Sequence, residues 1–171
     1  MDKIPNSSLI KLYTQDADFY DCFSSDIDCY RGETALELFM ELVTRSPEWF
    51  NFLMSLRNKI VSSFGLKDLG AIGAVNPQRN IKNIEVGDRV GIFTLYKNTQ
   101  HEVILEDKDK HLNVKVSFYV TPNDSGAKLH ATTVVHLNNT FGKWYMFFIK
   151  PVHKLIVPTL LQRLRKLKER R

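Results

Sequence analysis

The chain has 171 residues, of which 43% are hydrophobic and 25% are charged, values that exclude a largely disordered or collagen-like protein and fit one domain over residues 1–171. The formal net charge is +5, and the last nine residues, 163–171, account for all of it with six Lys or Arg and one Glu. Because the basic residues are confined to one end, we predict no nucleic-acid partner.

The N-terminal stretch predicts one strand and a location in the cytoplasm. Residues 1–13 lack the basic and then apolar pattern of an export signal, and no run reaches the roughly 18 apolar residues of a membrane-spanning helix. Residues 18–30 alternate irregularly between apolar and polar side chains, which indicates a strand. Cys22 and Cys29 would point to opposite faces of that strand, so we expect free thiols.

The residues that follow the first strand predict two short helices. Thr34 and Glu37 have the spacing of a capping box, in which each side chain accepts a hydrogen bond from the backbone amide of the other. Ser46 followed by Pro47 is typical of the start of a second helix, and Gly65 is suited to end it. We therefore expect two helices between residues 34 and 65.

Residues 66–88 show no periodicity and predict an irregular connection, after which four strands follow. The strands are VGIFTLYKN, HEVILED, HLNVKVSFYVTP and AKLHATTVVHLN, and short polar turns between them predict an antiparallel meander. In the last two strands, alternation predicts one face against the core and one face in water. The apolar face holds Leu112, Val114, Val116, Phe118, Val120, Leu129, Ala131, Thr133, Val135 and Leu137. The opposite face holds Asn113, Lys115, Ser117, Tyr119, Lys128, His130, Thr132 and His136.

The C-terminal segment predicts one long amphipathic helix, from about residue 141 to 168. Its apolar stripe includes Ile149 and Leu164, with His153 on the same side, whereas Pro151 and Pro158 should bend the helix or delay its start. A straight helix does not match the shape of a curved sheet, so a hollow should remain between them. We therefore predict an α+β helix-grip fold, a curved antiparallel sheet around a long C-terminal helix.

Four stretches carry a resemblance to a known superfamily. They are SPEWFNFLMSLRNKIVSSFGL at 46–66, DKHLNVKVS at 109–117, TTVVHLNN at 132–139 and GKWYMFFIKPVHKLIVP at 142–158. In these stretches the chain resembles the START-like superfamily, also described as polyketide-cyclase-like, Bet v-like or SRPBCC, and within it a bacterial branch of unknown function. The resemblance implies a helix-grip fold with a cavity but no particular reaction, because members of such folds bind lipids, hormones or polyketides or act as non-enzymatic partners.

The apolar strand face and the apolar helix stripe together suggest a function. We hypothesise that the protein binds a small, largely apolar ligand between the sheet and the C-terminal helix, with no cofactor. Because the sequence contains no HExxH or CxxC motif, we also expect no metal. The candidate ligand-binding residues are Val114, Val116, Phe118, Thr133, Val135, Trp144, Ile149, His153 and Ile156.

Several alternatives stay open at this point. His153 lies on an apolar stripe, and we favour a core histidine bonded to a backbone carbonyl over a group that lines the cavity. A second function is a cyclase or dehydratase type of enzyme, in which His153, assisted by Tyr145, is the general acid or base. A third is a non-enzymatic interaction module that acts through the basic tail, residues 163–171. That tail also predicts weak contact with an anionic membrane.

Overall fold

The computed structural model, which describes residues 1–62 and 81–169, contains one six-stranded antiparallel sheet and three α-helices in that part of the chain. The strands are β1 (Phe19–Ile27), β2 (Arg89–Val90), β3 (Phe93–Asn98), β4 (Glu102–Lys108), β5 (Leu112–Asn123) and β6 (Gly126–Leu137). The helices are α1 (Ala35–Thr44), α2 (Glu48–Ser62) and α3 (Thr140–Glu169), with short 3-10 helices at Leu9–Tyr13 and Ile81–Asn83.

The strand order in the sheet is β1-β6-β5-β4-β3-β2, so the predicted antiparallel meander is confirmed and the first strand joins it at the far edge. The stretch VGIFTLYKN, predicted as one strand, is divided into β2 and β3 by a turn at Gly91, which has a positive φ of 63°. In the pairing of β1 with β6, Asp21 lies opposite Thr133, and in the pairing of β5 with β6, Val116 also lies opposite Thr133. The sheet is not closed into a barrel. The predicted α+β arrangement, with two short helices after the first strand and a long C-terminal helix, is confirmed.

A local sequence signal explains where the first helix begins. The Thr34 hydroxyl accepts a hydrogen bond from the Glu37 amide at 3.1 Å, and the Glu37 carboxylate accepts one from the Thr34 amide at 2.7 Å, so the capping box is confirmed. In α2, the Phe50 side chain is buried, whereas Trp49 is exposed. The predicted end at Gly65 and residues 66–80 of the predicted connection lie outside the described residues.

The long C-terminal helix begins where a side chain caps it. The Asn139 side-chain oxygen accepts a hydrogen bond from the Gly142 amide at 3.1 Å. A Cβ atom at Gly142 would lie 2.5 Å from the carbonyl oxygen of His111, in the connection between β4 and β5. Only glycine fits this close approach. Beyond it the helix continues through both Pro151 and Pro158, so neither proline delays its start.

The sheet is covered on both faces, which corrects one expectation. The inner face, toward α3, is apolar as predicted. The opposite face was expected to be in water, but Lys115, Ser117 and Thr132 are buried there. The N-terminal 3-10 helix covers this face, and its Ile10 packs against Ile104 and Val134. Alternation correctly assigned each residue to a face but did not reveal which segment covers the second face.

The carboxylate of Glu102 holds that N-terminal helix on the outer face. It accepts hydrogen bonds from the Ser8 hydroxyl at 2.7 Å, the Leu9 amide at 2.6 Å and the Ile10 amide at 3.2 Å. The Ser117 hydroxyl adds a fourth bond at 2.6 Å. A negative charge at the first turn of a helix is stabilising, because the amides there have no partner within the helix.

Several cations of the basic tail are bound within the fold. Lys168 is only 3% exposed, and its ammonium lies 2.6 Å from a Glu33 oxygen and 2.8 Å from a Glu41 oxygen. Burial opposes ionisation of Glu33, but hydrogen bonds from Lys168 and from backbone amides outweigh it, so the pKa of Glu33 is lowered from 4.5. Arg165 contacts Asp28 at 3.2 Å. These contacts fix the end of α3 beside α1.

Replacement of Lys168 should therefore destabilise the protein. We expect Lys168→Met to lower the free energy of unfolding by about 3 kcal/mol near neutral pH, because it removes the nearly buried cation that pairs with both Glu33 and Glu41. Lys166→Met, at an exposed position on the same turn, is the matched control and should have little effect. A carboxyl group whose pKa is lower in the folded than in the unfolded protein contributes stability at a pH above its unfolded-state pKa. That contribution is lost as the pH falls through the folded-state pKa. The difference between the two variants in the free energy of unfolding, measured with urea, should therefore decrease below a pH of 4.5. Equal stability of the two variants at neutral pH would contradict this account.

Candidate functional site

The apolar core between the sheet and α3 is divided into two clusters. One cluster surrounds Leu112, Val135 and Met146, near the start of the helix. The other is larger and includes Leu160, Leu161, Leu164 and the residues of α1. His153 lies midway along α3, seven residues after Met146 and seven before Leu160. The helix therefore places a polar side chain at the level where one apolar cluster ends and the other begins.

The two strands beneath α3 change from apolar to polar at the same level. On the inner face of β1, Asp21 stands between Phe19, which packs with the first cluster, and Phe23, which packs with the second. On β6, Thr133 likewise stands between two buried apolar residues, Val135 and Ala131. Because Asp21 and Thr133 are register partners, three elements bring polar side chains to one place.

These three side chains form a hydrogen-bonded chain, which we call the Asp–His–Thr chain. The His153 Nδ1 atom lies 3.0 Å from the Asp21 Oδ2 atom, and its Nε2 atom lies 3.2 Å from the Thr133 hydroxyl oxygen. The carboxylate can only accept, so Nδ1 carries a proton. When the imidazole is neutral, Nε2 therefore accepts the hydrogen bond from Thr133. Histidine oriented by a buried carboxylate is an arrangement suited to proton transfer and to polar recognition.

Burial differs sharply among the three members of the chain. The Asp21 side chain is 0% exposed and that of His153 is 23% exposed, so the imidazole is the member that a bound molecule can reach. Within the described residues, the second oxygen of Asp21, Oδ1, has no hydrogen-bond partner. A buried carboxylate with one oxygen unsatisfied is costly, and such groups concentrate at functional sites.

The predicted site residues occupy four different environments. Thr133 and His153 meet in the Asp–His–Thr chain, whereas Phe118 and Val135 are buried within the two apolar clusters. Trp144 is exposed on the opposite side of α3, about two and a half turns before His153. The remaining members of the predicted set are only partly buried, and these are Val114, Val116, Ile149 and Ile156.

Asp21, rather than Tyr145, is the second titratable group at His153. Tyr145 lies eight residues before His153, about 12 Å along the helix axis, and packs with the cluster around Met146. Sequence reasoning missed Asp21, although its position contained a signal. Asp21 is a charged residue at a position that strand alternation turns toward the core. Its neighbours on that face of the strand, Phe19 and Phe23, are apolar. The expectation that His153 bonds a backbone carbonyl is wrong, because both of its partners are side chains.

A groove of about 330 Å³ lies between α2 and α3. It is open to solvent and nearly all of its lining is apolar. Its lining residues are Trp49, Leu53, Pro151, Val152, Leu155, Ile156 and Thr159. Of the predicted ligand-binding residues, only Ile156 contributes to this groove, and the hollow between sheet and helix stays a prediction.

His130 offers an internal comparison with His153. It lies on the outer face of the sheet, where its Nε2 atom is 3.2 Å from the Thr121 hydroxyl oxygen. Burial, with a smaller contribution from Lys128, lowers the pKa of His130. Within the described residues, no carboxylate accepts a hydrogen bond from the His130 imidazole. His130 therefore has the same threonine contact as His153 but lacks the contact with an acidic residue.

In the same part of the chain, no cluster of three or more His, Cys, Asp or Glu is placed to hold a metal ion.

Comparison with known proteins identifies one family. The model of a family described as "Protein of unknown function (DUF2867)" matches residues 13–160, a span that includes Asp21, Thr133 and His153. No curated protein matches the chain.

The contact with Asp21 should determine which nitrogen of His153 carries the proton. At a pH above the histidine titration range, ¹⁵N spectra should show His153 protonated at Nδ1 and unprotonated at Nε2. In Asp21→Leu the Nδ1 proton loses its acceptor, and the population should move toward the Nε2-protonated form, which donates to Thr133. The signals of His130 should not change, and an identical His153 pattern in both proteins would contradict the assignment.

Proposed function

Because the chain belongs to the family described as protein of unknown function (DUF2867), we propose its function from the site itself. We propose that the protein binds a small, largely apolar molecule between α3 and the inner face of the sheet, with one polar group of that molecule against His153. The observation that carries the proposal is the Asp–His–Thr chain, a polar group with a reachable imidazole set between two apolar clusters.

The apolar surroundings favour a ligand that is mostly hydrocarbon. Val114 and Val116 are in the middle of the sheet, where side chains are normally covered, yet both are only partly buried. Each ligand methylene that covers such surface contributes about 0.8 kcal/mol. A chain of about ten carbons would thus gain roughly 8 kcal/mol, which is comparable with the cost of association.

The Asp–His–Thr chain favours a ligand that has a polar group at one end. An imidazole held between Asp21 and Thr133 has a fixed orientation, and both of its nitrogens are already bonded. A ligand hydroxyl would therefore donate to the Thr133 oxygen, or to Nε2 after the Thr133 hydroxyl rotates away, whereas a pure hydrocarbon would cover these polar atoms without adding a hydrogen bond. The ligand class that fits is therefore an apolar molecule with a single hydrogen-bonding group.

Ligand binding is tested with two matched histidine variants. Native mass spectrometry of the protein purified from its own cells should reveal a bound apolar molecule. That molecule should displace a fluorescent fatty-acid probe from the protein. We expect His153→Ala to weaken binding about tenfold, the equivalent of one hydrogen bond. His130→Ala removes a histidine with the same threonine contact from the other face and should leave affinity unchanged.

Thermal unfolding of both variants separates a binding role from a structural one. If His153→Ala unfolds at the temperature of the native protein and still binds normally, the proposal is wrong. A further variant, Val116→Phe, adds volume at a partly buried position opposite Thr133 and leaves all three side chains of the Asp–His–Thr chain in place. It should reduce affinity for long ligands more than for short ones.

A second function, general acid–base catalysis of a cyclase or dehydratase type, is favoured by the contact between His153 and Asp21. Such catalysis needs proton carriers positioned within hydrogen-bonding distance, and this carboxylate is the second carrier. The Thr133 hydroxyl faces Nε2, so a substrate proton would reach the imidazole through Thr133 or after that hydroxyl rotates away. Asp21 would then orient the ring and stabilise its protonated form.

Catalysis is distinguished from binding by Asp21→Asn. With ketide-like substrates, this variant should lower turnover by about 10² to 10⁴ while affinity changes only a few fold. The product is measured by mass spectrometry in single-turnover reactions, with His130→Ala as control. Equal turnover in Asp21→Asn and the native protein would exclude acid–base catalysis by this dyad.

A further inference from the structure

The outward side of α3 exposes large apolar side chains over three turns. Trp144, Phe147, Phe148, Val152 and Leu155 are between 39% and 72% exposed. On α2, Trp49 and Phe52 are also exposed, and Trp49 lines the groove together with Val152 and Leu155. The exposed residues of the two helices therefore form one apolar surface, which we call the α3 outer face.

This surface is not explained by packing within residues 1–62 and 81–169, the part of the chain that the structure describes. A helix on the surface of a globular protein is normally apolar on the side toward the core and polar on the other. α3 already buries Met146, Leu160 and Leu164 toward the sheet, so its outward side should be polar. Aromatic residues exposed in a contiguous patch are typical of a surface that contacts a partner or a membrane.

The charges beside this surface point to an anionic partner. The helix α3 contains seven Lys or Arg and one acidic residue, Glu169, and two of the seven cations, Arg165 and Lys168, pair with carboxylates of the fold. Among them, Lys143, Lys150 and Lys154 recur at intervals of seven and four residues, so they form one stripe along the helix. The Lys150 ammonium lies 4.6 Å from the centre of the Phe19 ring, which places the stripe on the β1 side of the exposed apolar residues.

From this arrangement we propose that the α3 outer face docks the protein on an anionic membrane surface. The helix lies in the plane of the interface, Trp144, Phe148 and Leu155 enter the boundary between headgroups and acyl chains, and the lysine stripe contacts anionic headgroups. Long lysine side chains reach from the edge of such a face toward the phosphates. No helix of the described residues is long and apolar enough to cross a membrane, so this contact is peripheral.

The position differs from the contact predicted for the basic tail. Leu160, Leu161 and Leu164 are buried against the core, so in the tail region they are not available to enter a bilayer. The apolar surface that is available lies one to four turns earlier. Cations of residues 163–171 would add electrostatic attraction beside it, and this tail contact remains part of the proposal. The inference is independent of the proposed ligand site, which faces the opposite side of the helix.

The experiment uses the full chain with vesicles of two compositions. Co-sedimentation is measured with phosphatidylcholine vesicles and with vesicles in which about one third of the lipid is phosphatidylserine. We expect binding to the anionic vesicles, a decrease at high salt and weak binding to the neutral ones. Leu155→Glu should reduce the partition coefficient by about tenfold or more, because it puts a charge into the apolar contact.

Leu12→Glu is the matched control. Leu12 and Leu155 are each 72% exposed, but Leu12 belongs to the 3-10 helix on the other side of the sheet. The control should bind like the native protein. Lys143→Gln combined with Lys154→Gln should reduce the salt dependence, and Lys150 is left intact because of its contact with Phe19. Circular dichroism confirms that each variant is folded.

Three outcomes would overturn the proposal. The native protein could remain in the supernatant with both vesicle types, Leu12→Glu could lose as much binding as Leu155→Glu, or binding could be independent of lipid charge. Sedimentation velocity without lipid tests the alternative that a second copy of the chain covers this face. If the chain is a dimer that Leu155→Glu dissociates, the face is an interface between two copies and the membrane proposal is wrong.

Discussion

The burial of the Asp21 carboxylate beneath α3 is the constraint that fixes how the helix lies on the sheet. A carboxylate with no exposed surface is strongly unfavourable unless another group pairs with it. His153 meets this need at 3.0 Å, and only when the middle of the helix lies over the pairing of β1 with β6. The close approach of Gly142 to His111 and the ion pairs of Lys168 fix the two ends of the helix. The contact between Asp21 and His153 fixes its middle, and the apolar clusters supply the stability.

The two faces of the sheet each contain a buried carboxylate, and their hydrogen bonding differs. Glu102, on the outer face, accepts from Ser8, Leu9, Ile10 and Ser117, so both of its oxygens are satisfied. Complete satisfaction is typical of a group whose role is to hold a segment in place. Asp21 bonds His153 through one oxygen and leaves the other without a donor in the described part of the chain. This difference is the physical reason to regard the inner-face carboxylate as a functional group and the outer-face carboxylate as a structural one.

The sequence predicted the elements whose signals are local and missed the contacts that join distant segments. The capping box of Thr34 and Glu37 and the alternation of the last strands are each contained in a few residues, so α1 and the meander could be predicted. The covering of the outer face could not, because alternation assigns Lys115 to a face without showing what covers it. Asp21 and His153 are 132 residues apart, and no local pattern connects a strand at one end of the chain to a helix at the other.

The α3 helix is apolar on two sides, and the two sides have different physical causes. Its inward side is explained by burial against the sheet, whereas exposure of Trp144 and Leu155 contributes nothing to the folding of one isolated chain. Val152 on the outward side and His153 on the inward side are adjacent in the sequence, so the same turn of helix faces both surfaces.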